Sequence, residues 1–206
     1  MKLRAYPWIC IALFAAGVVA CKAEPETEAR RYLASLGKKY TPKELANTRV
    51  LDLKDTPITD DGVAHLKGLK RLQFLSLEAT KVTDAGLSRL VDFPALDILD
   101  LARNPITDAG LEHVGKLTRL RGLGLAGTRI TDAGLAHLQG LENLTALHLG
   151  HTAISDAGLV HLHRLGALEK VNLFDTRATD AGVAALVAAR PGIQVVRRAE
   201  QLAQPK

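Results

Sequence analysis

Three residues of this 206-residue chain have the side chains of a hydrolytic relay. Ser76, Asp100 and His148 could act as nucleophile, orienting carboxylate and base if they came within about 2.6–3.2 Å of one another. They lie 24 and 48 residues apart, at one position of a repeated strand pattern. Strands about 4.8 Å apart would separate the Asp100 and His148 backbones by about 9–10 Å. No strained nucleophile turn accompanies them, so we expect a chain that is not an enzyme.

A second candidate is a nucleotide site at Gly122, Gly124 and Gly127, which match the dinucleotide fingerprint G-x-G-x-x-G. That fingerprint needs a preceding strand and a following helix, so that pyrophosphate meets a helix N-terminus. Here Leu123 and Leu125 alternate with the glycines as the two core residues of a strand. The glycines therefore occupy outward strand positions, and we expect no cofactor.

A third candidate is a metal site formed by histidines that share one position of the repeat, namely His65, His113, His137 and His161. Adjacent repeats would bring such rings together, and imidazole is a common metal ligand. No cysteine or carboxylate at a matching height completes a tetrahedral zinc set. We therefore favour a solvated histidine column on the convex side over a zinc site, and expect no metal.

The fourth candidate is Cys21, which follows two basic residues and an apolar run over residues 8–20. Basic and apolar regions in this order are typical of a secretory signal. The sequence Val18-Val-Ala-Cys21 resembles the bacterial lipobox, in which the signal is cut before the cysteine and the cysteine is acylated. The apolar run is shorter than the ~20 residues of a membrane span. We favour lipidation of Cys21 over an uncleaved helix or an ordinary signal peptide.

Lipidation would place the chain at the cell envelope, because several acyl chains anchor a protein stably where one binds only marginally. The lipobox resemblance implies an outer-membrane destination if the cell has two membranes, since Lys22 rather than aspartate follows the cysteine. Cys10 would leave with the signal. No thiol would then remain for a disulfide, a metal or a nucleophile.

The elements that must position these residues recur every 24 residues. Six aspartates show the period, each followed two residues later by glycine: Asp60, Asp84, Asp108, Asp132, Asp156 and Asp180. A fixed period of this size indicates a solenoid. Within one period, the spacing of two at Leu75 and Leu77 predicts a short strand, and the spacing of three from Leu87 to Leu90 predicts a helix. One such unit cannot fold alone, so stability belongs to the array.

This pattern resembles the leucine-rich repeat family, in the I-T-D-A-G-L-x-x-L form seen in bacterial repeat proteins and in the repeat domains of F-box proteins. The resemblance covers residues 48 to about 196, with strand registers beginning at Thr48, Leu72, Leu96, Leu120, Leu144, Leu168 and Ile193. It implies an α/β fold, a right-handed solenoid with a parallel sheet on the concave face and short helices on the convex face.

Two polar side chains per repeat are expected to serve this fold. We predict that the threonine or aspartate at each helix start caps that helix. The polar residues that close each strand turn should bond to the backbone, and these are Thr56, Thr80, Asn104, Thr128, Thr152 and Thr176.

The rest of the chain extends the repeats at both ends. Thr41, Pro42 and Glu44 mark a helix start just before the first repeat. At the other end Arg198 stands where a buried leucine is expected, so the last layer becomes polar. The predicted segments are a lipoprotein signal peptide at 1–20, a lipidated tether at 21–27, an N-terminal helical cap at 28–47, leucine-rich repeats at 48–196 and a C-terminal tail at 197–206.

The outward residues of the strands have no predicted packing role, so they are the candidate binding surface. Phe74 and Phe174 should face solvent on either side of a low floor of glycine and alanine: Gly122, Gly124, Ala126 and Gly150. Exposed aromatics around a depression are typical of interaction surfaces. The predicted partner-binding residues are Phe74, Asp100, Gly124, His148, Lys170, Asn172 and Phe174.

These observations lead to one functional expectation and two alternatives. A chain with 47% hydrophobic residues and a formal charge of +5 is an ordinary single domain, and its scattered charge does not indicate nucleic acid. We expect a non-enzymatic, membrane-anchored module that binds a protein or peptide on its concave face. The first alternative is a glycan or peptidoglycan binder of the envelope, which would need rows of sugar-stacking aromatics. The second is a face without a partner.

Replacing Cys21 with serine should abolish incorporation of fatty acid, because serine offers no thiol for acylation. Metabolic labelling with a tagged fatty acid measures the effect, and the natural chain should be labelled and recovered with membranes. Cys10→Ser is the matched control and should keep its label. Equal labelling of the natural chain and Cys21→Ser would contradict the assignment.

Overall fold

The computed structural model describes residues 25–197, with side chains from residue 27 onward. The predicted signal peptide, Cys21 and nearly all of the C-terminal tail therefore lie outside the described residues. Within the described part of the chain, every helix is too short or too polar to cross a membrane.

Seven strands within residues 25–197 form one parallel sheet whose order follows the chain. They are β1 (Val50–Asp52), β2 (Phe74–Ser76), β3 (Ile98–Asp100), β4 (Gly122–Gly124), β5 (Ala146–His148), β6 (Lys170–Asn172) and β7 (Gln194–Val196). The surface that carries the first and third residue of each strand is called the concave face below.

Among residues 25–197, two helices precede the sheet and one follows each of the first six strands. They are α1 (Pro25–Ser35), α2 (Pro42–Ala46), α3 (Asp60–His65), α4 (Asp84–Leu87), α5 (Asp108–Val114), α6 (Asp132–Leu135), α7 (Asp156–Leu159) and α8 (Asp180–Ala189). Three of them continue as 3₁₀ turns over Ser88–Asp92, Ala136–Gly140 and Val160–Arg164. The predicted alternation of strand and helix is confirmed.

The middle residue of each strand from β1 to β6 points into the core. Leu75 pairs with Leu99, and the same register continues through Leu123 and Leu147. These four side chains are at most 3% exposed. A slip of one residue would turn every one of them to the solvent side, so burial excludes a shift by one residue.

The last strand departs from the sequence prediction by one residue. The sequence predicts that the register of the last strand begins at Ile193. β7 pairs Val195 with Val171, so its register begins one residue earlier. Ile193 and Val196 are buried here, whereas Val195 is half-buried. The preceding helix α8 has ten residues and α7 has four, so the chain enters β7 by a different path. Arg197, and not Arg198, therefore occupies the position of the usual leucine.

The turn after each strand is closed by the predicted polar residue. The Thr128 hydroxyl donates to the Leu125 carbonyl at 2.7 Å, and the other threonines of this column repeat the contact. Asn104 donates to the Leu77 carbonyl of the previous repeat at 2.7 Å. No side-chain nitrogen or oxygen that is buried in the described residues lacks a partner. The structural assignment of this column is confirmed.

The turn also contains a left-handed residue that the sequence analysis missed. Six positions spaced by 24 residues have φ between 52° and 66°: Asp55, Ala79, Arg103, Gly127, His151 and Asp175. Only one of the six is glycine, the residue that adopts this conformation without strain. Their side-chain types share no turn signal, which is why the sequence pattern does not reveal them.

The repeated aspartates join neighbouring repeats and do not cap their own helices. Asp84 Oδ1 accepts from the Thr107 backbone N–H at 2.9 Å, and Asp84 Oδ2 accepts from the Thr107 hydroxyl at 2.6 Å. The same pair of bonds recurs at Asp60–Thr83, Asp108–Thr131, Asp132–Ser155 and Asp156–Thr179. These Thr179 donors hold the pKa of Asp156 below its usual value.

The prediction that these residues cap their own helices is therefore correct for four Thr or Ser residues and wrong for the aspartates. Thr83, Thr107, Ser155 and Thr179 accept from a backbone N–H of their own helix. Thr59 and Thr131 make no such bond. One hydroxyl thus donates to the previous repeat and, in four repeats, accepts from its own helix.

The glycine two residues after each aspartate is required by the carboxylate of the previous repeat. A Cβ on Gly110 would overlap Asp84 Oδ1, and Gly86, Gly134, Gly158 and Gly182 meet the same obstacle. Real Cβ atoms do not come this close to a neighbour, so a side chain here would displace the carboxylate. The Asp-x-Gly spacing is therefore a constraint between repeats.

The two ends of the array replace this contact with other side chains. Gly62 has no preceding aspartate, and the Tyr32 hydroxyl of α1 occupies the space where its Cβ would be. Burial raises the pKa of Tyr32, and a backbone hydrogen bond from Thr59 lowers it. At the other end, Asp180 pairs with Arg197. Each end of the ladder is thus closed by a residue from outside the repeat pattern.

The N-terminal cap packs on the first repeat as predicted, but its helix starts earlier. α1 begins at Pro25, inside the segment predicted as tether. Ala29 and Leu33 are fully buried, and Glu28 Oε1 lies 2.8 Å from His65 Nδ1. The Thr41 and Glu44 capping box of α2 is present.

Replacing Gly110 with alanine should destabilise the fold by about 1–3 kcal/mol, because overpacking a filled site has that cost. Gly166→Ala is the matched control, since its Cβ would meet nothing within 4 Å, and it should change stability by only a few tenths of a kcal/mol. Urea unfolding measures both. Equal midpoints for the two variants would refute the contact.

Candidate functional site

The concave face divides into an apolar part and a polar part. Val50, Phe74 and Ile98 are the first residues of adjacent strands and form an apolar row. Val50 is 63% exposed and Ile98 41% exposed, and Phe74 is half-buried. The row then continues without large apolar side chains, through Gly122 and Ala146.

Both phenylalanines are less exposed than predicted. Phe74 lies within the apolar row and is half-buried. Phe174 follows β6 and is also half-buried. Its ring meets the His151 ring edge-on, with 5.1 Å between centroids and 82° between planes. Both rings are thus only partly open to solvent.

The third residue of most strands has a structural role that the sequence analysis did not assign. Asp52 Oδ1 accepts from the Lys54 N–H at 2.9 Å, and Asn172 Oδ1 accepts from the Phe174 N–H at 2.8 Å. Such side-chain turns end a strand by satisfying the next free N–H. Asn172 is only 6% exposed, so it presents little surface to a partner. Lys170 is exposed.

This pattern is interrupted at Gly124 and His148, and a depression forms there. Gly124 has no side chain, and the Asp100 carboxylate lies over it, since a Cβ there would overlap Asp100 Oδ1. The depression has a volume of about 580 Å³ and is lined by Glu78, Asp100, Ala102, Arg103, Ala126, Gly127, His148 and His151. Of the predicted floor residues Ala126 lines the depression, together with Ala102 and Gly127, and charged side chains surround them.

Ion pairs fix the N-terminal wall of the depression. Glu78 accepts from two cations: Oε2 lies 2.9 Å from Lys54 Nζ, and Oε1 lies 2.9 Å from Arg103 Nη2. Arg103 also lies 3.5 Å from Asp55 Oδ1. The hydrogen bond to Glu78 raises the pKa of Lys54. In this wall the positive charges of Lys54 and Arg103 are therefore balanced by the carboxylates of Glu78 and Asp55.

The C-terminal wall carries two histidines in different states of pairing. His151 Nδ1 lies 2.8 Å from Asp175 Oδ2. Desolvation by the surrounding walls lowers the pKa of His148. The Asp100 and Glu78 carboxylates raise this pKa, and His151 lowers it. The desolvation is partial, since one side of the His148 ring stays exposed. His148 is thus neutral near pH 7, with ring nitrogens able to donate and accept.

The structure does not assemble the relay that the residue types suggested. β4 separates β3, which carries Asp100, from β5, which carries His148. Ser76 is buried at 5% exposure, and its hydroxyl accepts from the Glu78 N–H. In residues 25–197 no group of three histidine, cysteine or acidic side chains could hold a metal ion.

Histidines of the column contact other side chains, whereas the sequence predicts a solvated surface for them. His65 pairs with Glu28 and lies 5.0 Å from the Tyr32 ring. His161 Nδ1 lies 2.8 Å from Gln139 Nε2. These rings hold helices to one another. Only His137 of the column is classed as exposed.

Comparison with known proteins agrees with this geometry. The family model described as a leucine-rich repeat matches residues 49–66, 96–114 and 140–162. Three solved structures are similar. An internalin (inlF) of Listeria monocytogenes has a TM-score of 0.54 and 20% identity, covering 79% of this chain and 51% of that chain. Internalin C2 (inlC2) of the same species has a TM-score of 0.51 and 20% identity, covering 82% of this chain and 92% of that chain.

The third is a leucine-rich repeat protein of Leptospira interrogans, with a TM-score of 0.50 and 19% identity over 64% of this chain and 32% of that chain. The fold of this chain is thus a leucine-rich repeat solenoid. The predicted α/β solenoid is confirmed.

The comparisons show the fold of this chain alone. The chain spans about half the length of the inlF internalin. Identities of 19–20% show a shared fold alone, and 214 chains of solved structures match. No curated protein matches at a significant level. The function must therefore be argued from the concave face itself.

The pKa of His148 should lie below the usual value of about 6.5 for histidine, and Asp100→Asn should lower it further. Removing the carboxylate takes away the charge that favours the imidazolium, while the desolvation remains. NMR titration of the His148 ring protons measures both values. Asp52→Asn, four strands away, is the control and should leave the pKa unchanged. A His148 pKa that rises in Asp100→Asn would contradict this electrostatic account.

Proposed function

We propose that this leucine-rich repeat protein is a non-enzymatic module that binds a protein or peptide on its concave face, and that a lipid on Cys21 holds it at the cell envelope. The observation that carries the proposal is the depression of about 580 Å³ beside an exposed apolar row. An exposed apolar surface bordered by polar side chains is typical of an interaction site.

The fold itself does not need this apolar row. The core leucines are already buried, and no buried polar side chain of the described residues lacks a partner. Val50 and Ile98 nevertheless remain exposed. Covering apolar surface contributes roughly 25 cal/mol per Å², so a partner that covers the row gains free energy that the isolated chain leaves unused.

The geometry favours a polypeptide over a glycan. Sugar rings stack on broad aromatic faces that are open to solvent. Here Phe74 lies on β2 and Phe174 follows β6, so about 19 Å of sheet separates them at the usual strand spacing. Both rings are half-buried. A polypeptide instead matches a surface that alternates apolar and charged positions.

The lipid anchor would place the N-terminal cap close to the membrane. Only residues 22–24 lie between Cys21 and the start of α1. A fully extended chain gains at most about 3.6 Å per residue, so α1 would start within about 14 Å of the lipidated cysteine. If the cell has two membranes, Lys22 favours the outer one.

A photo-reactive amino acid on the concave face should crosslink to a protein in intact cells. We expect adducts from Ile98 and Lys170, because both are exposed on the sheet. Glu112 and Ala136 lie on the helix side, are also exposed, and serve as matched controls. Adducts from the control positions alone would refute the concave-face assignment.

A second experiment on the concave face tests the glycan alternative. The purified chain is sedimented with isolated cell wall, and the proposal expects it to remain in the supernatant. Co-sedimentation that is lost when Ile98 is changed to serine would support a wall polymer as the ligand instead of a protein.

A further inference from the structure

The cations at the strand ends of the concave face already have carboxylate partners. Lys54 and Arg103 both bind Glu78, and His151 binds Asp175. An anionic ligand would have to break these pairs before it could use the positive charges. The depression therefore does not offer a ready anion site.

Asp100 is the opposite case. Its carboxylate has no cationic partner among residues 25–197, and the one side-chain hydrogen bond that it makes there is from the Ala102 N–H at 3.0 Å. The carboxylate is half-buried, lies against Gly124 and lines the depression. The nearby His148 is neutral near pH 7, because its pKa is lowered, and does not compensate the charge. A partly desolvated charge attracts an opposite charge more strongly than one in bulk water.

The charged side chains at the other strand ends of the concave face are also mostly acidic. The strand-end residues of this face include five carboxylates, at Asp52, Asp55, Glu78, Asp100 and Asp175, against the two cations Lys54 and Arg103. The whole chain, in contrast, carries a formal charge of +5. The strand ends of the concave face are thus locally acidic on a basic protein, which orients a cationic partner toward them.

The apolar row meets this charge at one strand. Ile98 and Asp100 are the first and third residues of β3 and share the concave face. Two residues along a strand span about 6–7 Å. A partner can therefore contact both with one apolar and one charged side chain that are close neighbours on its own surface.

We propose that the partner presents a lysine or arginine to Asp100 and apolar side chains to Val50, Phe74 and Ile98. This inference rests on the proposed function and names the chemistry of its ligand. The depression has room for a long basic side chain, and the unpaired carboxylate that lines it receives the charge. The apolar row covers the residues beside it.

The test uses the full-length chain in detergent and a display library of short random peptides. Recovered peptides should be enriched in lysine or arginine next to apolar residues. Asp100→Asn should weaken their binding roughly tenfold or more, because charge-assisted hydrogen bonds are strong. The variant keeps Oδ1, which accepts from Ala102.

Asp52→Asn is the matched control, because Asp52 makes the same turn bond but does not line the depression. It should change affinity by less than about twofold, as exposed charges usually do. Changing the basic residue of a peptide to glutamine should cost the natural chain as much as Asp100→Asn does, and the two changes together should cost little more.

The outcomes separate this inference from the proposed function. Peptides without basic residues, or peptides that bind Asp100→Asn unchanged, overturn the cationic partner. If such peptides still crosslink to Ile98, the concave binding function stands. If no recovered peptide crosslinks to the concave face, both proposals fail.

Discussion

One aspartate carboxylate per repeat holds this solenoid in register. Its two oxygens accept from the backbone N–H and the hydroxyl at the helix start of the next repeat, as Asp84 does from Thr107. The following repeat must also have a glycine where the carboxylate lies against its backbone. The leucine layers supply the apolar burial, but leucines can slide over one another. The directional bonds and the missing Cβ allow one alignment, and Tyr32 and Arg197 close the two ends of the ladder.

Because the helix side and the core hold the repeats together, the concave face is free to vary. Asp, Ser and Asn side chains end most of its strands by accepting a backbone N–H. Gly124 and His148 cannot accept it in this way, and the depression lies at these two strands. The candidate site is therefore a local departure from the repeat, built on a scaffold that does not depend on it. The contacts that hold the repeats together and the candidate site thus lie on different surfaces of the solenoid.

The sequence predicts the parts of the structure in which packing has a period. The strand register from β1 to β6 and the threonine turn column follow from residue type at fixed spacing. The role of the aspartates does not follow from the sequence. An aspartate that caps its own helix and one that bonds to the next repeat would stand at the same position of the pattern. Burial on the concave face was also hidden. Asn172 reads as an exposed polar residue, but its turn bond to Phe174 folds it inward. The pairing of Glu78 with Lys54 and Arg103 depends on side-chain conformations across three strands.

A double-mutant cycle between Asp108 and Thr131 tests the central claim most directly. Thr131 does not cap its own helix, so its hydroxyl serves only the neighbouring repeat. Unfolding free energies of Asp108→Ala, Thr131→Val and the double variant give the coupling, with Asp108→Ala and Thr56→Val as a distant control pair. The account predicts a coupling of about 0.5–3 kcal/mol for the first pair and additivity within about 0.5 kcal/mol for the control. Additive effects in both pairs would show that the carboxylate ladder does not couple the repeats.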